Sequence, residues 1–292
     1  MINVIGSDKM RLFTGGLWKY TETPSAQGGD QEFNITKNGK IYRVHVFTAN
    51  GTLTVGKGGN VEYLAIGGGG SGGNRHGGGG GAGGFVSSND QGLGLLPSGS
   101  VDITVGRGGY NSGSVSTGSD QSGESGYLSG FALISAAGGG GGGGNANENG
   151  KDGGSGGGGS ADSAGGSGNT PSLSPPQGYE GATGVRADYH AGGGGGASEK
   201  GTNGVEGAAG DGGDGRYSSI TGVSIAYAGG GAGGEWSSVG TPPNGGVGGG
   251  GNITEAGEGA TGGGGGASQY KSVAGNGGSG ILIIRYILGE EA

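Results

Sequence analysis

Seven consecutive glycines, Gly138-Gly-Gly-Gly-Gly-Gly-Gly144, follow the apolar run Tyr127-Leu-Ser-Gly-Phe-Ala-Leu-Ile-Ser-Ala-Ala137. Runs of four or more recur at 67–70, 77–81, 156–159, 192–196, 248–251 and 262–266, and glycine makes up 91 of 292 residues. Two physical readings compete. Glycine loses more backbone entropy on folding than any other residue, so an isolated run would be a random coil. Alternatively, many such runs pack side by side as extended helices with three residues per turn, seven residues spanning about 22 Å. That conformer makes no internal hydrogen bonds, and only a chain without Cβ atoms brings its free N–H and C=O groups close enough to a neighbour to pair.

The residues between the runs favour packing. Flexible linkers alternate glycine with serine, whereas here the runs are separated by varied segments carrying Tyr, Trp, Pro, Asn and charges. Apolar stretches also abut the glycines directly, as Val61–Ile66 before Gly67 and Ile220–Ala228 before Gly229. The run at 138–144 is taken as the stretch around which the rest is organised. Strand patterns appear at 41–48, 52–55, 61–66, 101–105, 127–136, 220–227 and 281–288, and the last, nearly continuous in apolar residues, reads as central and buried on both faces. Asn38-Gly39 between Phe33-Asn-Ile-Thr and Ile41–Phe47 signals a hairpin. No stretch of useful length has a 3.6-residue period. The expected fold is therefore mainly β and irregular: a small β platform and a bundle of polyglycine II helices with irregular loops, and almost no α-helix. Residues 1–40 are set apart as an N-terminal attachment segment rich in aromatics (Phe13, Trp18, Tyr20, Phe33), either plain core or a docking surface; 41–288 form the glycine-rich domain and 289–292 a C-terminal tail.

Composition excludes several classes. Apolar residues amount to 29 % of the chain, so a conventional core is small and backbone hydrogen bonds between glycine segments carry much of the stability. The net charge of −8 with scattered Lys and Arg offers no basic stripe for nucleic acid. There is no cysteine for disulfides or thiolate metal sites, no basic-then-apolar leader at Met1–Lys9, and no run long enough to insert into a membrane.

No catalytic arrangement is recognisable. His45, His76 and His190 lack metalloprotease spacing and read as structural or solvent-exposed; Gly-Lys pairs at 39–40, 56–57 and 150–151 are not followed by Ser or Thr as a phosphate-binding loop requires. Asp211-Gly-Gly-Asp214 is too sparse to supply six oxygens to calcium. The chain is thus expected to be non-enzymatic, with no cofactor and no metal. Loops on a rigid scaffold are where binding residues concentrate, and exposed aromatics offer contact area at low entropy cost. The candidates are Tyr179, Tyr189, His190, Tyr217, Trp236 and Tyr270; each is alternatively an apolar plug over the bundle edge.

The ordered series FTANGTLTVGKGGNVEYLAIGGGGSGG, GGGGGAGGF, LPSGSVDITVGRGG and GGGGGASQYKSVAGNGGSGILIIRY resembles the glycine-rich domain of bacteriophage tail-fibre proteins and tip adhesins, over roughly residues 41–288. The resemblance implies a virion protein at the distal end of a tail fibre, with variable loops that recognise a host bacterial surface receptor, an outer-membrane protein or a polysaccharide. It implies other virion tail proteins as partners through residues 1–40, and either a homotrimer or a monomer on a trimeric shaft. It transfers no individual contact residue. A purely structural fibre or connector protein is the alternative. An ice-binding protein is a third reading, against which the irregular loops argue.

Overall fold

The computed structural model describes residues 23–111, 121–145, 148–186, 189–236, 241–269 and 272–290. In chain order the elements are β1 (Ser25–Gln27), β2 (Gln31–Lys37), β3 (Lys40–Phe47), β4 (Gly51–Lys57), β5 (Gly59–Ile66), β6 (Phe85–Ser87), α1 (Ser88–Gln91), β7 (Gly94–Leu96), β8 (Gly99–Thr104), β9 (Ser129–Phe131), β10 (Ile134–Ala136), β11 (Arg216–Ser218), β12 (Ile225–Tyr227) and β13 (Ile281–Glu290). The fold is mainly β and irregular, with one four-residue helix, as the patterning predicts.

A six-stranded antiparallel sheet in the order β2-β3-β13-β5-β6 with β7 beside β5, and a five-stranded sheet in the order β1-β4-β8-β9-β10, form the platform. The strand 281–288 is central, between β3 and β5. Its side chains alternate between two apolar layers: Leu282, Ile284 and Tyr286 pack with Leu53, Val101, Ile103 and Phe131 of the second sheet. Ile281 and Ile283 face Leu64, Phe85, Ile220, Tyr227 and the methyls of Ala82, Ala197 and Ala228. The second layer is where sheet meets glycine bundle, and those alanines stand at the platform ends of their glycine segments. Arg285 fastens the junction: Nε donates to Glu62 Oε2 at 2.9 Å and Nη1 to the Ile220 carbonyl at 2.8 Å.

Asn38 (φ 53°) and Gly39 (φ 70°) turn β2 into β3. Both are left-handed, as a two-residue turn matched to strand twist requires. The hairpin crosses the boundary drawn at residue 40, so residues 25–37 are platform strands and not a separate segment. Likewise Gly289 and Glu290 belong to β13 rather than to a tail. The stretch 127–136 is not one strand but the hairpin β9–β10, turned by Ala132 and Leu133, with Ala132 at φ 46°. Only 225–227 of the expected strand 220–227 pairs, with β11.

The remaining chain is a bundle whose centre is 77–84, not 138–144. Its hydrogen bonding has a three-residue period. The N–H groups of Gly78, Gly81 and Gly84 reach the carbonyls of Gly143, Gly140 and Ala137; those of Gly79 and Ala82 reach Gly192 and Gly195; those of Gly80 and Gly83 reach Gly265 and Gly262. Its carbonyls accept in the same rhythm, Gly78, Gly81 and Gly84 from Gly73, Gly70 and Gly67, Gly79 and Ala82 from Gly158 and Ser155, and Gly77 and Gly80 from Gly234 and Gly231. The central rod therefore has six neighbours. Those neighbours also bond to one another in a closed ring, through Gly139 to Gly68, Gly140 to Ser155, Gly195 to Gly156, Gly194 to Gly231, Gly264 to Gly229 and Gly265 to Gly70. This is hexagonal packing of polyglycine II helices, each presenting its peptide groups in three directions because it has three residues per turn.

Glycine is demanded by the approach of backbones. A Cβ at Gly80 would lie 2.1 Å from the Gly70 carbonyl oxygen, and one at Gly141 would lie 2.1 Å from that of Gly123. Gly289 has nothing within 4 Å of such an atom. Gly141→Val is accordingly expected to abolish cooperative unfolding, whereas Gly289→Val melts within about 1 kcal/mol of the parent. Denaturant melts of both variants check this, and a cooperative transition in the Gly141 variant would contradict the packing.

Candidate functional site

The central rod runs from Gly84, which leads into β6 on the platform, to Gly77, which leads into the turn Asn74-Arg75-His76 at the far end. Three rods finish there in register. Ala191 N–H donates to the Gly234 carbonyl at 2.9 Å, and Gly234 N–H to the Gly77 carbonyl at 2.9 Å. One residue further out, His190, Glu235 and His76 are level with one another; the chain beyond carries Tyr189 and Trp236. The rings meet: His76 and Trp236 have centroids 4.8 Å apart, His76 and Tyr189 5.6 Å, and Tyr189 and Trp236 5.6 Å at an interplanar angle of 33°.

Burial divides the cluster into a floor and a surface. His76, His190 and Glu235 are buried, whereas Tyr189 is 38 % and Trp236 46 % exposed. The backbone is held in unusual conformations to achieve this: Arg75 (φ 50°), His76 (φ 60°) and Tyr189 (φ 53°) are all left-handed and none is glycine. Such residues persist only where surrounding contacts over-determine them. Here Ser268 supplies two, its carbonyl accepting from His76 N–H at 3.1 Å and its Oγ from Arg75 N–H at 2.6 Å. Val185 N–H donates to the His190 carbonyl at 2.7 Å, fixing the loop that carries Tyr189.

Asparagine side chains close the adjacent rod ends. Asn74 Nδ2 donates to Asn111 Oδ1 at 3.1 Å while Asn74 Oδ1 accepts from Ala274 N–H at 3.0 Å; Asn111 Nδ2 donates to the Gly72 carbonyl at 2.8 Å. These amides satisfy backbone groups that have no further rod residue to pair with.

Electrostatics follow from burial. Desolvation, with a smaller contribution from the Arg75 charge, pushes the His76 imidazole down to about 4. Burial pushes the Glu235 carboxyl up, opposed by a 3.3 Å hydrogen bond from Gln269 Nε2 to Oε1 and by His190. His76 is thus neutral at pH 7 beneath the aromatic surface. Among the described residues no group of three His, Asp or Glu side chains could hold a metal ion. Asp211 and Asp214, the pair reminiscent of calcium loops, each cap a backbone N–H, of Asn244 at 2.6 Å and Val247 at 2.8 Å.

Of the six candidates, Tyr189, His190 and Trp236 come together at this tip. Tyr179 lies on the flank toward the platform, its N–H bonded to the Gly196 carbonyl, and is 39 % exposed. Tyr217, 68 % exposed, sits on β11 beside the platform at the opposite end. Tyr270 lies outside the described residues. His76 and Glu235 are additional members. Their signal in the sequence is position: His76 immediately precedes Gly77, His190 stands two before Gly192, and Glu235 follows Gly234, each flanking a glycine run at the same end of an alternating bundle.

A bundle of glycine rods thus stands on a β platform and carries an aromatic cluster at its far end. The chain belongs to the glycine-rich domain family, whose model matches residues 45–287. The comparison with curated proteins finds no match.

Because the folded His76 binds a proton less readily than the unfolded one, its contribution to stability is full above about pH 6.5 and is lost as pH falls toward 4, by up to about 3 kcal/mol. His45, also lowered by burial, adds a slope of the same sign, and Glu235, raised, one of opposite sign. Chemical denaturation at several pH values is expected to show a flatter profile between pH 6.5 and 4 for His76→Phe than for the parent. Superimposable profiles would remove His76 from the pH response.

Proposed function

We propose that the protein is a bacteriophage tail-fibre tip adhesin, a virion component that binds a receptor on the host bacterial surface through the far end of the bundle. The observation that carries this reading is the meeting of Tyr189, Trp236 and His76, contributed by three loops remote in sequence, at the end away from the β platform. Half-exposed aromatics held by a rigid frame supply contact area with little ordering cost on binding. The frame supports the same reading: rods held together by backbone hydrogen bonds between mostly glycine residues leave the loops free to differ while the scaffold stays constant. In this role the platform end faces the rest of the tail, and the partners are other virion tail proteins on that side and a surface protein or polysaccharide on the other.

The test is binding of the labelled, purified chain to a panel of bacterial strains. Binding confined to some strains, reduced at least tenfold by a Tyr189→Ala, Trp236→Ala double variant that keeps the parent's melting behaviour, is the expected result. A cooperatively melting parent that binds no strain would overturn the adhesin in favour of a structural fibre or connector protein.

A further inference from the structure

The sequence contains six Asn-Gly pairs, at 38–39, 50–51, 149–150, 203–204, 244–245 and 276–277. An asparagine followed by glycine is chemically exposed, because the next backbone nitrogen can approach the side-chain amide with no Cβ in its way. The fold ties down five of the six pairs and leaves one open.

Two of the pairs clasp a single residue of a neighbouring segment with two bonds. Asn149 Oδ1 accepts from Ala164 N–H at 3.0 Å while Gly150 N–H donates to the Ala164 carbonyl at 3.0 Å. Asn203 Oδ1 accepts from Thr183 N–H at 3.0 Å while Gly204 N–H donates to the Thr183 carbonyl at 2.9 Å. Asp152-Gly153 holds Ser167 and Asp214-Gly215 holds Val247 in the same way, so the clasp is a recurrent device of this bundle. In a third pair both groups are again engaged, Asn276 Oδ1 with Asn111 N–H at 2.7 Å and Gly277 N–H with the Gly109 carbonyl at 2.9 Å. In the remaining two, one reacting group is tied: Asn50 Oδ1 accepts from Val105 N–H at 2.8 Å, and Gly245 N–H donates to Asn252 Oδ1 at 3.0 Å. A glycine nitrogen whose proton lies in a hydrogen bond cannot shed it to become a nucleophile until that bond opens. An amide fixed through Oδ1 cannot swing its carbon toward the nitrogen. Reaction at these five pairs waits on local opening of the structure.

Asn38-Gly39 differs on each count. It is the exposed tip of the β2–β3 hairpin. Among the described residues neither the Asn38 side chain nor the Gly39 N–H has a hydrogen-bond partner, and a Cβ at Gly39 would meet nothing within 4 Å. Lys37 and Lys40 on either side favour the anionic form of the nitrogen between them.

We propose that Asn38 is a site of spontaneous deamidation, the one Asn-Gly pair that the native fold leaves reactive. The Gly39 nitrogen loses its proton and attacks Asn38 Cγ; the N–Cγ bond forms, the Cγ–Nδ2 bond breaks, and Nδ2 departs with a proton as ammonia. Water then opens the succinimide ring at either carbonyl, leaving aspartate or isoaspartate. Aspartate tolerates the left-handed φ of 53° at this position, so in that product the turn survives with one more negative charge. Isoaspartate carries the backbone through Cβ, which no longer fits a two-residue turn and loosens the Lys37–Lys40 end of the hairpin.

The test is ageing of the full-length protein in mildly alkaline buffer, with deamidation at each Asn-Gly pair followed by peptide mass spectrometry and isoaspartate by enzymatic methylation. In the folded protein Asn38 is expected to react at least tenfold faster than Asn149, Asn203 and Asn276, at a rate that rises with hydroxide concentration. In denaturant, where no clasp exists, the six pairs are expected to react at similar rates, and Asn38→Gln removes the isoaspartate formed by the folded protein. Three results would overturn the proposal: Asn38 no faster than the clasped pairs in the folded protein, a clasped pair that reacts as fast folded as in denaturant, or a mass gain at Asn38 without isoaspartate, which would be direct hydrolysis of the amide and not ring closure by Gly39.

Discussion

Every level of this structure depends on the distance at which two peptide backbones can hydrogen-bond when neither carries a side chain. A Cβ at Gly80 would stand 2.1 Å from the Gly70 carbonyl oxygen and one at Gly194 2.0 Å from that of Gly80. The N–H···O bonds between these rods are nonetheless ordinary, 2.8 to 2.9 Å for the pairs Gly70–Gly81, Gly80–Gly265 and Gly194–Gly231. Since a rod with three residues per turn sends peptide groups out in three directions, its partners arrange themselves hexagonally around it, and a strand-like two-dimensional sheet becomes a three-dimensional lattice. Each bond is worth little net, but each buried group left unpaired costs more, so the lattice forms as a whole.

A lattice of this kind has no interior chemistry. Its rods bury peptide groups and almost nothing else, which leaves side chains to act at its ends and flanks. At one end Ala82, near the platform end of the central rod, and Ala197 and Ala228, adjoining glycine runs, make an apolar layer with Ile66, Phe85, Ile281 and Ile283 of the sheet. At the other, rod ends are closed by Asn74 and Asn111 and by the aromatic cluster over buried His190 and Glu235. At both ends polar side chains take up peptide groups, Gln177 Oε1 accepting from Ala137 N–H at 2.9 Å on the platform side and Asn74 and Asn111 acting at the tip.

Much of the fold was legible. Glycine runs directly abutting apolar strands announced a packed bundle on a β platform, Asn38-Gly39 announced its hairpin, and the unbroken apolar run 281–288 announced a central strand. What could not be read was pairing among rods. All glycine runs look alike, so nothing local distinguishes 77–84, with six neighbours, from 138–144, whose unbroken glycine run is longer and which is one of those neighbours. Composition changes near residue 40, yet the Asn38-Gly39 hairpin pairs β2 with β3 across that point. At the tip, Tyr189 and Trp236 were recognisable as aromatics in loops, but their meeting depends on the register of 191 with 234, and Tyr217 looked the same in sequence while lying at the opposite end.

The separation between constrained and unconstrained positions also explains why residues so far apart in the chain meet. Neighbouring rods are contributed by segments such as 67–73, 155–158, 192–195 and 231–234, so a loop joining two rods has for neighbours loops from distant parts of the chain. His76, Tyr189 and Trp236 share one surface because their rods share one lattice, not because the loops between them pack in sequence order. A change in the length or composition of one loop alters that surface without disturbing the hydrogen bonds beneath it, whereas a methyl at a position such as Gly80 or Gly141 meets a neighbouring carbonyl oxygen at 2.1 Å. Tolerance in the loops and intolerance in the rods are therefore one property seen from two sides. The glycine content, which at first suggests a chain with little to hold it in place, is the condition for keeping three loop ends within about 6 Å of one another.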